Sequence, residues 1–194
     1  MEYLRTEIDN MFNAMSEGAS RTVKILDGLR IFSKVYENDL RKANINDGID
    51  STLLLLNNLL NRIRIEKNYA QLPLVQCYPG KLNQVFLNII INAAQAINSK
   101  FGKEEGGIIS ISTSYRGAKV IVSIRDNGTG MEESIARQVF EPFFTTREYS
   151  GGAGLGMSIA YHTVRKHQGN IHLNSKPGEG TEFTVELRVD HLVP

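Results

Sequence analysis

The chain has 194 residues, of which 41% are hydrophobic and 22% charged, as in a globular protein of one medium domain with an appendage or of two small domains. Its formal net charge of +1 argues against a nucleic-acid partner. No run of about 18 apolar residues occurs, so we expect no membrane contact by this chain. The single cysteine, Cys77, fits a cytoplasmic location, with any membrane anchor belonging to a longer parent protein.

Residues 1–36 carry an apolar pattern with a period of 3.5 residues over four heptads, without proline. A helix with such a face is not stable alone in water. Since no later helix matches its length, we predict a homodimer through it, with residues 1–40 as a partial dimerisation helix and residues 41–194 as a separate domain. The alternative is a helix that lies on the main domain. The apolar positions are Leu4, Ile8, Met11, Met15, Gly18, Thr22, Ile25, Leu29, Phe32 and Tyr36.

Helical and strand patterns alternate along the rest of the chain. Helices are predicted from Asn46 to Leu60 with Asn46 or Asp47 as N-cap, from Pro79 through Ile97, and from Leu155 to His167. Strands are predicted over residues 62–66, 72–77, 108–115, 119–125, 170–174 and 181–189, with a tight turn at Arg116-Gly117. This order predicts an α+β fold, a two-layer sandwich with helices on one face of a mixed, mostly antiparallel sheet.

The helix around residues 84–97, QVFLNIIINAAQAI, is apolar on nearly every side except along one narrow line. A solvated line would normally carry lysine and glutamate, whereas buried neutral amides need an ordered polar partner such as a ligand or a metal. Taken alone, this helix is better interpreted as an ordinary core helix whose amides bond to neighbouring loops. The polar line consists of Gln84, Asn88, Asn92, Gln95 and Ser99.

Two glycine-rich stretches follow. Residues 126–130, DNGTG, come after a strand, where glycines let the backbone approach a ligand closely. Residues 151–156, GGAGLG, precede a helix whose N-terminus would attract phosphate. Each motif is weak alone, because the first fits a turn and the second a flexible surface loop. Residues 140–146 between them, FEPFFTT, read as a hydrophobic latch on a loop that could act as a lid.

The order of these motifs is more specific than any one of them. Asn88-x-x-x-Asn92, then DNGTG, FEPFFTT, GGAGLGM and GEGTEF resemble the ATP-binding domain of bacterial sensor histidine kinases, in the superfamily that includes gyrase, Hsp90 and MutL. The resemblance covers about residues 44–189 and implies a Bergerat-type ATP-binding fold. Residues 17–34 are similar to the second helix of the family's dimerisation and phosphotransfer bundle.

The resemblance implies ATP and Mg²⁺ as cofactors. Asn92 corresponds to the magnesium ligand, Asn88 to its neighbour facing phosphate and metal, and Arg147 to a lid residue that meets the terminal phosphate, so these three form the implied catalytic set. Asp126 corresponds to the acceptor for the adenine amino group. The remaining implied nucleotide contacts are Gly128, Gly130, Gly152, Gly154, Leu155, Gly156 and Thr181.

Three sequence features bear on the reaction. Hydrolysing relatives carry a glutamate four positions before the second asparagine, and Asn88 cannot serve as that general base, so the resemblance implies transfer to an acceptor with slow hydrolysis. Gln95 stands where many members have a lysine. No histidine precedes His162, so the phosphoacceptor of the family is missing. Either the chain begins after the first bundle helix, which we expect, or the natural protein lacks that helix. The four histidines of the chain are interpreted as structural or surface residues.

These observations predict the catalytic region of a histidine kinase in a two-component system, without autophosphorylation of this chain alone. The implied partners are a response regulator receiver domain and an upstream sensor domain. One alternative is a dimeric ATP-binding switch, or pseudokinase, without phosphotransfer. Another is an anti-sigma-type serine kinase of the same fold, which would lack the long N-terminal helix.

Overall fold

The computed structural model describes residues 39–102, 104–146 and 153–189. The predicted dimerisation helix, residues 1–40, therefore lies almost wholly outside the described residues. In chain order the described elements are β1 (Arg41–Ala43), α1 (Ile45–Leu55), β2 (Arg64–Asn68), β3 (Val75–Cys77), α2 (Pro79–Phe101), β4 (Ile108–Arg116), β5 (Lys119–Asp126), α3 (Glu133–Ala136), α4 (Gly156–Lys166), β6 (Asn170–Lys176) and β7 (Gly180–Arg188).

The main sheet has five strands in the order β2-β4-β5-β7-β6. β2 pairs in parallel with β4, and the other three pairs are antiparallel. β1 and β3 form a separate antiparallel pair. The predicted α+β sandwich with a mixed, mostly antiparallel sheet is confirmed.

Side chains alternate between the two faces of the sheet, as the strand period of two requires. On the helix-covered face the buried residues form rows in register, such as Thr113, Val122 and Val185 across β4, β5 and β7. α2 lies in the middle of the helical layer, between α1 and α4. The core is therefore formed between one sheet face and a central helix that is covered on both sides.

The predicted apolar helix is α2. It begins with Pro79 at its first turn, where proline has no hydrogen bond to lose, and ends at Gly102, whose φ of 60° closes the helix. Its buried residues are Leu82, Val85, Phe86, Ile89, Ile90, Ala93, Ala94 and Ile97. The buried stripe leaves the polar line at the border of the core, with Asn88 and Asn92 half-buried.

The structure corrects the predicted bounds of α1. Asn44 is the N-cap, in place of Asn46 or Asp47, because its side chain accepts a 2.9 Å hydrogen bond from the backbone N–H of Asn46. The helix ends at Leu55 and does not reach Leu60. Past Leu55 the chain turns, and this turn lets Leu60 enter the core while Leu55 stays 73% exposed.

The strand predictions were shifted by a few residues. β2 spans 64–68 and not 62–66, and β3 starts only at Val75 because Pro73 precedes it. The β4–β5 turn has Gly117 and Ala118 at its centre, one residue later than predicted, with φ of 56° and 62°. Such paired positive φ angles fit the twist of a two-residue hairpin. β1 and α3 were not predicted, because both are short and lack a clear period.

Candidate functional site

Asp126 ends β5 and is buried, with 4% of its surface exposed. Its Oδ1 accepts a 2.8 Å hydrogen bond from the backbone N–H of Gly128. Burial raises the pKa of this carboxyl to about 6, although the backbone N–H groups of Gly128 and Thr181 and the charge of Lys100 pull it down. A buried carboxylate with few donors can accept one more hydrogen bond from a ligand.

Gly128 and Gly130, in the loop after Asp126, lie so close to neighbouring backbone atoms that there is no room for a side chain. A Cβ on Gly128 would lie 2.7 Å from the carbonyl carbon of Ala96 in α2. A Cβ on Gly130, whose φ is 64°, would lie 2.0 Å from the carbonyl oxygen of Lys176. The loop therefore lies directly against α2 on one side and against the β6–β7 turn on the other.

Thr181 is buried beside Asp126, since these two residues are partners in the β5–β7 register. Its hydroxyl lies 2.9 Å from that of Ser175, which in turn donates to the carbonyl of Gly180 at 3.2 Å. Sequence reasoning missed both Ser175 and Gly180. Gly180 could have been found from the GEGTEF motif, since a Cβ there would lie 2.0 Å from the carbonyl oxygen of Asp126. Ser175 carries no sequence signal.

At the other end of the polar line, Asn88 contacts the start of α4. Its Nδ2 donates a 2.8 Å hydrogen bond to the carbonyl of Gly156. With the amide so oriented, the side-chain oxygen of Asn88 is left as an acceptor for a metal or a donor group. Gly154 has a φ of 65°, and a Cβ on it would lie 2.4 Å from the carbonyl carbon of Phe143. Leu155 is half-buried and occupies the N-cap position of α4.

α2 connects these two ends of the site. Asn88 faces Gly156, and Ala96 contacts Gly128 and accepts a 3.3 Å hydrogen bond from the N–H of Thr129. The two contact points are about 12 Å apart along the helix, with Asn92 midway between them. We call the Asp126 side the base end and the Asn88 side the phosphate end, after the parts of a nucleotide that the sequence resemblance predicts for them. Arg147 and Gly152, both predicted site residues, lie outside the described residues.

The predicted aromatic latch is present in part. The ring of Phe140 packs on Tyr161 of α4 at 5.4 Å and edge-on against Phe183 of β7 at 6.3 Å. Phe143, in contrast, is 65% exposed and has a φ of 66°. The segment that leads away from α3 is thus fixed to the core through Phe140.

Three histidines, His162, His167 and His172, lie in the described residues. His167 is buried at the C-terminus of α4, where Nε2 accepts from the N–H of Tyr78 at 3.1 Å and Nδ1 contacts the carbonyl of Thr163 at 2.7 Å. Burial lowers the pKa of His167, and both of its ring nitrogens contact backbone groups, which fits the structural role predicted for it. His162 and His172 are exposed surface residues.

Other parts of the described chain offer no competing metal centre. Within residues 39–102, 104–146 and 153–189, no three His, Cys, Asp or Glu side chains cluster as metal ligands would. An open cavity of about 330 Å³ lies at the N-terminal end of α2 and is lined among others by Arg41, Asn44, Cys77 and Phe86. None of the predicted site residues lines this cavity. None of the helices in these ranges is long and apolar enough to cross a bilayer.

The fold is an α+β sandwich with a candidate ligand site along α2, between the Asp126 loop and the start of α4. Residues 77–191 match the family described as histidine kinase-, DNA gyrase B- and HSP90-like ATPases, and the chain belongs to this family. The resemblance drawn from the motif order is confirmed, and nucleotide binding is a property of this ATPase family.

Individual relatives agree. The chain is 31% identical over 187 residues to the sensor histidine kinase ZraS of Escherichia coli K12, covering 95% of this chain and 38% of ZraS, so it spans well under half of that relative. The catalytic domain of the histidine kinase ThkA is similar in structure, with a TM-score of 0.67, 26% identity, and coverage of 78% of this chain and 96% of ThkA. The structure of full-length ShkA in complex with AMPPNP is also similar, with a TM-score of 0.67 and 26% identity. The match covers 87% of this chain and 35% of ShkA.

Proposed function

We propose that this chain is the ATP-dependent catalytic region of a protein histidine kinase, which transfers the γ-phosphoryl group to a histidine on a helix that this chain lacks. The observation that carries the proposal is the amide of Asn88, held by the carbonyl of Gly156 at 2.8 Å where a hydrolase of this superfamily would present a carboxylate. An amide cannot take a proton from water, so hydrolysis is not favoured.

The base end fits an adenine ring. Asp126 would accept a hydrogen bond from the exocyclic amino group, and the hydroxyl of Thr181 would lie at the ring edge. Gly128 and Gly130 support this assignment, because without side chains their backbone could approach a flat ring closely and form one side of its pocket. A carboxylate as acceptor selects an amino group over a carbonyl, which favours adenine over guanine.

The phosphate end fits a triphosphate with Mg²⁺. Asn92 would bind the metal and Asn88 would lie beside it, since magnesium takes few protein oxygens when phosphates and water supply the rest. When bound, Mg²⁺ would neutralise charge that develops on the phosphates. Gly154, Leu155 and Gly156, with Gly152 before them, would direct backbone N–H groups at the N-terminus of α4 toward the phosphates. Arg147 is proposed as a further contact to the terminal phosphate.

The proposed partners follow from the family and from the missing acceptor. The first histidine in the sequence is His162, on α4, and it is exposed and bonded to its own helix, with Nδ1 2.8 Å from the carbonyl of Ser158. The acceptor histidine is thus proposed to lie on a bundle helix outside this chain. Residues 1–40 are proposed to form the dimer, with a receiver domain and an upstream sensor domain as partners, as the relatives' description as sensor kinases supports.

Labelled ATP tests the proposal. The chain alone and a version extended by the upstream acceptor helix are incubated with Mg²⁺ and [γ-³²P]ATP. We expect acid-labile label on the extended protein only, and slow release of free phosphate from both. Release of phosphate as fast as by a gyrase-type ATPase would contradict the proposal.

Two further candidates predict other outcomes of the same experiment. A dimeric ATP-binding switch is favoured by the lack of any histidine before His162, and it would bind ATP tightly but leave both proteins unlabelled. A serine kinase of the same fold would yield acid-stable label.

A further inference from the structure

Lys100 lies one residue before the end of α2, and its ammonium group joins two loops at the base end. Nζ donates hydrogen bonds of 2.8 Å to the carbonyl of Asn127 and 2.8 Å to the carbonyl of Gly178. Asn127 follows Asp126 directly, and Gly178 lies in the turn between β6 and β7. One exposed side chain on the helix therefore ties together the two loops that frame Asp126.

Asn127 is also held from its other side. Its Nδ2 donates to the carbonyl of Gly106 at 2.7 Å, and its Oδ1 accepts from the N–H of Ile108 at 2.9 Å. The side chain is thus fixed to the start of β4 while the carbonyl is fixed by Lys100. Since Asn127 stands between Asp126 and Gly128, these hydrogen bonds fix the path of the backbone in the loop after Asp126.

The second loop depends on the same lysine. The N–H of Gly178 donates to the carbonyl of Thr129 at 2.7 Å, so the two loops already share one backbone hydrogen bond. The bonds from Lys100 are charge-assisted and stronger than a neutral bond of this kind. The positive charge of Lys100 also acts on Asp126, where it favours the ionised carboxylate against the effect of burial.

We propose that Lys100 is a positioning residue for base recognition, holding the Asn127 and Gly178 loops at the spacing in which Asp126 and Thr181 receive adenine. The inference rests on the proposed binding of ATP. Lys100 acts through two backbone carbonyls at the base end, and it has no part in holding the phosphates. It therefore contributes to the preference for adenine over guanine.

Calorimetric titrations with ATP, adenosine and GTP test this role in the wild-type chain, K100M, K100R and D126N. Methionine keeps the alkyl stem of Lys100 but removes the charge and the donors, whereas arginine keeps both. We expect K100M to lower the affinities for ATP and for adenosine by the same factor, about three- to tenfold. The ratio of the affinity for ATP to that for GTP should also decrease. K100R should restore most of the affinity, and K100M without ligand should unfold at a moderately lower temperature than K100R, because its two loop contacts are lost.

The controls separate failure of this inference from failure of the proposed function. If wild-type protein does not bind ATP, both are overturned. If D126N loses binding while K100M binds as the wild type does, only the role of Lys100 is overturned. A K100M variant that loses affinity for ATP but not for adenosine would place Lys100 at the phosphates and would also overturn it.

Discussion

The base end and the phosphate end of the site are built in different ways. At the base end, Asp126 and Thr181 lie on paired central strands. In the adjoining loop, Gly128 lies against α2 and Gly130 against the β6–β7 turn, without room for a side chain. At the phosphate end, the described contact is one hydrogen bond from Asn88 to the backbone at the start of α4. The base end is thus preformed by the sheet, whereas the phosphate end depends on how α4 begins.

Because of this difference, we expect substitutions at the two ends to have different effects on ATP affinity, folding and phosphoryl transfer. Substitutions at the base end should change affinity and folding together, because the same contacts serve both. Substitutions at the phosphate end should change transfer with little effect on folding, because its amides lie at the border of the core. The following experiments would sharpen or break this division.

The largest effect is expected for Asn92→Ala. Loss of the proposed metal ligand should lower phosphoryl transfer to an acceptor helix about hundredfold or more, since charge on the phosphates would be less well neutralised. Urea denaturation should show a nearly unchanged free energy of unfolding. Asn98→Ala, an exposed position on the same helix, is the control and should transfer normally. Equal loss of transfer in both variants would contradict a specific role for Asn92.

Asp126→Asn should weaken ATP binding and yet stabilise the free protein. The pKa of Asp126 rises from 3.8 to about 6 on folding, so ionisation of the buried carboxyl costs stability above pH 6 and nothing below about pH 4. The variant should gain up to about 3 kcal/mol in unfolding free energy at pH 8, from about two pKa units at 1.4 kcal/mol each.

That gain should vanish at pH 4, where the wild-type carboxyl is protonated. Urea denaturation at the two pH values measures it, and calorimetry measures the loss of ATP affinity. A gain in stability that is the same at both pH values would show that ionisation of Asp126 is not its cause.

Gly128→Ala should cost about 1–3 kcal/mol of unfolding free energy, because its Cβ would meet Ala96 at 2.7 Å. ATP affinity should fall as well. Gly117→Ala is the matched control, since it places a Cβ in open space at a φ of 56° in a hairpin away from the site. It should cost about 1 kcal/mol and leave ATP affinity unchanged. If the two variants bind ATP equally well, the close packing of the loop 126–130 on α2 does not contribute to ATP affinity.

The smallest effect concerns pH and His167. Burial lowers the pKa of His167, so its neutral form is favoured on folding and its contribution to stability is lost as the pH falls below the usual 6.5. Asp126 acts in the opposite direction in the same range. Acidification from pH 7 to pH 5 should therefore destabilise Asp126→Asn more than the wild type, as followed by thermal unfolding. A steeper loss in the wild type would reverse the sign assigned to Asp126, and an Asp126→Asn variant that is not destabilised on acidification would reverse the sign assigned to His167.

The sequence by itself determined the family and the order of the elements apart from β1 and α3. The alternation in β4, β5 and β7 and the apolar helix α2 are local patterns with strong periods, and the motif order from Asn88 to Thr181 was sufficient to assign the family correctly. The bounds of α1 were wrong because its leucines continue the helical pattern past Leu55, and only tertiary packing required Leu60 to turn into the core.

Only the tertiary structure decided which polar residues meet. The contacts of Asn88 with Gly156 and of Ser175 with Thr181 join residues from different elements, and no spacing in the chain predicts them. The same holds for Lys100, an ordinary surface lysine in sequence, whose two acceptors lie 27 and 78 residues further along the chain. The physical reason is that hydrogen bonds between loops depend on where the sheet and α2 place them, whereas periodicity reports only which face of an element is buried.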